Sequence, residues 1–124
     1  MDQLRGKFYE GLTQTLIEYA KFEFNLDLTF IEKASLRAHL VAAKAESELK
    51  NPNPFPEELK DQWEWFCELS GTGRGVGGSG SSLPLTATEI VSWCFLRDVH
   101  LLPWELRLIR LLDAAWLAAL HRSG

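Results

Sequence analysis

Apolar side chains recur at spacings of three and four along most of this 124-residue chain, the period of an amphipathic helix. Over residues 4–24 the stripe is Leu4, Phe8, Leu12, Leu16 (or Thr15), Tyr19 and Phe22. Gly6 and Gly11 weaken that helix by up to about 1 kcal/mol each relative to alanine, so tertiary contacts must compensate. Residues 22–28 also alternate as a short strand would. No second strand offers itself as a partner, and the stretch reads as a helix end and a connection.

A second helix is expected from Thr29-Phe30-Ile31-Glu32, which has the form of a capping box. Ile31, Ala34, Ala38, Val41, Ala42, Ala45 and Leu49 then recur at helical spacing up to Lys50, and Asn51-Pro52-Asn53-Pro54 stops the run. Pro56 suits the first position of a third helix, with Glu57 and Glu58 in the turn where the dipole favours negative charge. Leu59, Trp63, Phe66 and Leu69 make its stripe, Trp65 lies to one side, and Ser70-Gly71 is a C-terminal stop. Residues 71–82 hold six of the nine glycines and little that packs, the composition of a flexible loop.

Thr86-Ala87-Thr88-Glu89 is a second capping box, opening a fourth helix with Ile90, Trp93 and Cys94. Residues 99–102 leave it, and Pro103 opens the last helix, to His121. There Arg107, Arg110 and His121 fall in one narrow sector, and apolar residues fill nearly all the rest. A helix apolar that far around is central to a core or covered partly by another chain. The expected fold is therefore all-α: about five helices in a small orthogonal or bundle arrangement, the last one central, with the glycine-rich loop between the third and fourth. Residues 1–50 form an N-terminal helical pair and residues 51–124 a three-helix region, within what length makes one domain.

Composition narrows the function. Thirteen Lys+Arg against 17 Asp+Glu give a net charge of −4, which disfavours nucleic-acid binding through a basic patch. No window approaches the roughly 18 apolar residues of a membrane span, and the first residues lack the basic-then-apolar run of a signal peptide. Two cysteines make no disulfide framework.

Candidate chemistry is sparse. Gly73-x-Gly75-x-x-Gly78 matches a dinucleotide pattern in letters, but a helix precedes it and Leu83-Pro84 follows, where the chemistry needs a strand before and a helix after. Cys67, Cys94 and His100 lack the paired spacing of zinc ligands and read as no metal site. The histidines His39, His100 and His121 are isolated, so a cysteine nucleophile has no evident base. Asp113, among apolar neighbours in the last helix, is expected to pair with Arg110 or Arg97 or to cap a neighbouring helix. No catalytic residue and no cofactor emerge. The five tryptophans, Trp63, Trp65, Trp93, Trp104 and Trp116, suit a core or a protein-binding surface with Glu105 and Arg107 as its charged rim.

One order of features is more specific. It runs Leu59-x-x-x-Trp63-x-x-Phe66-x-x-Leu69-Ser70, then Arg74 among glycines, then Leu83-Pro84-Leu85-Thr86-x-x-Glu89-Ile90-x-x-Trp93. Leu102-Pro103-Trp104-Glu105-x-Arg107 and Leu111-x-Asp113-x-x-x-Leu117 complete it. Over residues 55–121 this resembles the small tail assembly chaperone-like proteins of tailed bacteriophages. The resemblance implies a non-enzymatic protein that holds apolar helices of a tape-measure or tail-tube protein during assembly, in the host cytoplasm, and is absent from the finished virion. It implies a helix-in-groove contact through Trp63, Phe66, Trp93, Trp104, Leu108 and Trp116, with self-association as a further expectation. A phage-encoded helical regulator that blocks a host or defence protein is the alternative.

Overall fold

A computed structural model of the chain describes residues 2–72 and 83–122, and side chains over residues 9–71 and 83–121. Six helices follow one another: α1 (Asp2–Leu28), α2 (Leu36–Ala42), α3 (Glu46–Leu49), α4 (Lys60–Thr72), α5 (Ala87–Arg97) and α6 (Pro103–Arg122). A two-stranded ribbon, β1 (Phe30–Ile31) with β2 (Ala34–Ser35), and a 3-10 turn at Glu57–Leu59 complete the described elements. The mainly helical class is as expected. The glycine-rich loop lies, from residue 73 onward, outside the described residues.

The first helix runs four residues further than its predicted end, because residues 22–28 continue the helix instead of leaving it. Its buried side is Leu16, Ala20 and Phe24, each four residues after the last, with Ile17 beside them. Four-residue spacing keeps one face in register along a straight helix. This face shares a hydrophobic cluster with Leu59, Phe66 and Leu69 of the middle segment and with Leu108, Ile109, Leu112, Ala115 and Ala119 of α6. Helices α1 and α6 run in the same direction. Tyr9 stacks on Trp104 near their starts, with ring centroids 4.4 Å apart, while Phe24 and Trp116 line one cavity near their ends.

The predicted second helix is wrong in two places. At its start, Phe30 pairs with Ser35 and Ile31 with Ala34 across Glu32 and Lys33, whose φ values are 51° and 71°. Two central residues with positive φ make the type I′ hairpin turn. Thr29 therefore caps no helix: its hydroxyl meets Asn25 Oδ1 and its carbonyl accepts the Leu36 N–H. Ser35 is the cap instead, accepting from the Ala38 N–H at 3.1 Å. At its far end the helix stops at Ala42. The Lys44 N–H bonds to Val41 and the Ala45 N–H to Leu40, with Lys44 at φ 59°, the Schellman arrangement without its usual glycine. Arg37 then ties α2 to α1 through Asp27 at 2.7 Å and Glu23 at 3.2 Å.

The Asn51-Pro52-Asn53-Pro54 run does more than stop a helix. Asn51 Nδ2 donates to the Tyr19 carbonyl at 3.0 Å, and Asn53 Nδ2 to that of Glu18 at 3.2 Å, so the segment is strapped along α1. Phe55 then meets Tyr19 edge-on at 5.0 Å. Pro56 sits ahead of the 3-10 turn instead of opening α4, and Ser70 and Gly71 are still helical, so both predicted ends of that helix move by a few residues.

Candidate functional site

The C-terminal helix pair is positioned by three polar anchors. Thr86 forms the predicted capping box: its hydroxyl accepts from the Glu89 N–H at 3.1 Å, and Glu89 accepts from the Thr86 N–H at 3.0 Å. One residue earlier, α6 grips the peptide of Leu85 from both sides. Asp113 Oδ2 accepts the Leu85 N–H at 3.0 Å, and Arg110, one turn away, donates to the Leu85 carbonyl. Of the alternatives open for Asp113, capping the approach to a neighbouring helix is the one realised. The backbone donor on Oδ2 offsets part of what burying this carboxylate costs. On the α4 side, Glu68 accepts from Trp93 Nε1 at 3.2 Å and Arg97 Nε at 3.0 Å.

These anchors fix the rotation of α5. Ile90 and Trp93 face inward and are buried, which turns Val91, Phe95 and Leu96 out. Phe95 is 84% exposed and Leu96 81%. At its end the Asp98 N–H bonds to Phe95 and the Val99 N–H to Cys94, with Asp98 at φ 54°. The chain then reverses through residues 99–102 into α6.

Between the two helices lies a groove of about 370 Å³. Its walls are Ala87, Ile90, Val91 and Cys94 of α5, the link residues Val99, His100 and Leu101, and Leu106 and Arg110 of α6. Phe95 of α5 and Leu102, just before α6, are exposed apolar residues as well. A monomer seldom displays a contiguous apolar face of this kind unless something binds there.

The residues expected at a binding surface mostly lie elsewhere. Phe66 and Leu108 are fully buried and Trp93 nearly so. Trp104 is half-buried on Tyr9. Trp63, Phe66 and Trp116 do come together, around a second cavity of about 340 Å³ that Glu23, Phe24 and Asp27 of α1 also line. Glu105 corrects the charged rim, being buried: Oε2 accepts from Gln62 Nε2 and Oε1 from the Leu102 N–H, both at 2.8 Å. Arg107 is exposed, as a rim residue would be. Sequence reasoning passed over Val91, Phe95 and Leu96, although Ile90-Val91-Ser92-Trp93-Cys94-Phe95-Leu96 is apolar on both sides of its wheel.

Cys67 lines the second cavity, where burial, with the Asp27 and Glu64 carboxylates, pushes its thiol up to about 11. Burial also raises Cys94, in the groove. Among the described residues no cluster of three His, Cys, Asp or Glu could hold a metal ion, and no helix is long and apolar enough to cross a membrane.

A family model described as phage tail assembly chaperone fits residues 41–118, from α2 nearly to the end of α6. No curated protein and no solved structure matches the chain.

Proposed function

Since the chain belongs to the phage tail assembly chaperone family, we propose that its α5–α6 face holds apolar helices of a tape-measure or tail-tube protein while the tail assembles. The observation that carries this reading is the outward apolar surface of α5: Val91 lines the groove and is exposed, and Phe95 and Leu96 on the same helix are more than four-fifths exposed. The role is non-enzymatic: reversible burial of a partner surface, in the host cytoplasm, by a protein that does not stay in the virion.

Magnitudes fit reversible holding. Fully burying Val91, Phe95, Leu96 and Leu102 against a partner gains on the order of 1.5–3 kcal/mol each. Association itself costs about 4–15 kcal/mol, a sum of the same order, so a contact of this size stays reversible and leaves no large surplus. A helix lying in an apolar groove is a standard mode of such recognition.

The test is co-expression with the tape-measure protein of the same phage. The native chain should keep it in the soluble fraction. A Phe95→Asp, Leu96→Asp variant, folded by circular dichroism, should leave it in the pellet. Equal solubility with both variants would sink the assignment to this face.

A further inference from the structure

Charge tells what kind of helix the groove takes. Residues 1–72 carry 8 Lys and Arg against 13 Asp and Glu, whereas residues 73–124 carry 5 against 4. Three of those four acids are engaged: Asp113 on the Leu85 N–H, Glu105 on Gln62 and the Leu102 N–H, and Glu89 on the Thr86 N–H. Asp98 stays exposed, 3.5 Å from His100 Nε2. Arg97 is turned toward α4, on Glu68. Arg110 lines the groove, and its bond to the Leu85 carbonyl leaves most of its five N–H donors for other acceptors. Arg107 lies one turn before it on the same face of α6 and is exposed. An acidic protein thus presents an apolar groove with an arginine-edged wall.

We propose that this groove binds an amphipathic helix of a partner protein whose apolar stripe is flanked by Asp and Glu residues. The inference rests on the helix-holding reading above and adds the partner's charge. Carboxylates along such a helix meet Arg107 and Arg110 while its apolar residues cover Val91, Phe95 and Leu106. A lysine-flanked helix is repelled at the same edge, so the arginines select between equally apolar partners. A second copy docking the same face two-fold brings the same arginines against them, which disfavours that occupant.

Two synthetic helical peptides with one leucine stripe, flanked by glutamate in the first and lysine in the second, test this by fluorescence anisotropy against the full chain. The glutamate peptide should bind at least about tenfold tighter than the lysine peptide at low salt, and the gap should shrink when salt rises to about 0.5 M. Arg107→Glu should weaken the glutamate peptide about tenfold, and Arg107→Lys should retain most of its binding. Equal binding of both peptides, or no effect of Arg107→Glu, overturns the charge assignment. Binding of neither peptide, by a chain that still keeps the tape-measure protein soluble, overturns it too and leaves the functional reading standing. A dilution series in which the chain self-associates through this face would make a second copy the occupant and overturn it as well.

Discussion

Helix α6 meets its neighbours in two different ways. Toward α1 and α4 it presents Leu108, Leu112, Ala115 and Ala119, all buried. Small residues let helices approach closely, and a covered apolar face contributes to stability in proportion to the area removed from water. Toward α5 it presents Leu106, Arg110 and Asp113. The contact there is made by polar anchors on one peptide and leaves a groove. One side is built to stay closed. The other is held at its edges and left open along its length, which is what a reversible binding face requires. Substitutions on the two sides should therefore separate stability from binding.

The largest effect belongs to the closed side. Phe66 is fully buried and packs near Phe24 and Trp63, with ring centroids 5.8 and 6.4 Å away. Phe66→Ala should cost about 3–5 kcal/mol, a large part of the stability of a domain this size, as a shift in urea midpoint. An undiminished midpoint would break the comparison. Next comes the anchor between the two sides. Asp113→Ala removes the acceptor of the Leu85 N–H and should cost about 1–3 kcal/mol. Hydrogen exchange should quicken over α5 more than over α1. Asp113→Asn, whose amide oxygen still accepts, should recover much of the loss.

A smaller effect of opposite sign is expected where non-glycine residues end helices. Lys44→Gly should stabilise by about 0.5–1 kcal/mol, because lysine bears the left-handed penalty at φ 59° that glycine does not. Asp98→Gly should gain less, since a short polar side chain tolerates that region better. A stabilised Lys44→Gly variant whose peptide binding is unchanged would show that the end of α2 belongs to the closed side.

These positions also explain what could be read from sequence. The last two helices were legible because their signals are local: the Thr86–Glu89 capping box and Pro103 act within one turn. The second helix was not. Its Thr29–Glu32 pattern satisfies a capping box in letters, yet Glu32 and Lys33 form a type I′ turn without the Asn or Gly that announces one. Lys44 likewise breaks the run with no residue that favours the left-handed region. At the site, the tryptophans drew the expectation because aromatic residues suit cores and interfaces alike. Only tertiary packing turns Trp93 inward and Phe95 outward. A wheel of α5 carried the warning, since apolar residues on both of its sides cannot all face one core.

The two cysteines give the finest probe of the contrast, one reporting from each side. Cys67 is exposed overall, so access of a reagent does not protect it; what protects it is the scarcity of its thiolate. Raised from 9.0 to about 11, it holds roughly a hundredfold fewer thiolates at pH 8 than an ordinary cysteine. Cys94 is raised too, by burial, but without the carboxylates that add to the shift at Cys67. Iodoacetamide at pH 8 should therefore label Cys94 first, and mass spectrometry of the digested chain reads the order. The sign for stability follows from the same shift. A thiol whose value is raised on folding leaves the native state fully favoured below pH 9, and that contribution drains away as pH rises from 9 through about 11. Adding the glutamate-flanked peptide should slow labelling of Cys94, which lines the groove, and leave Cys67 untouched. Protection of Cys67 instead would move the binding site to the cavity beside α1, and the division between a packed side and an open one would have to be redrawn.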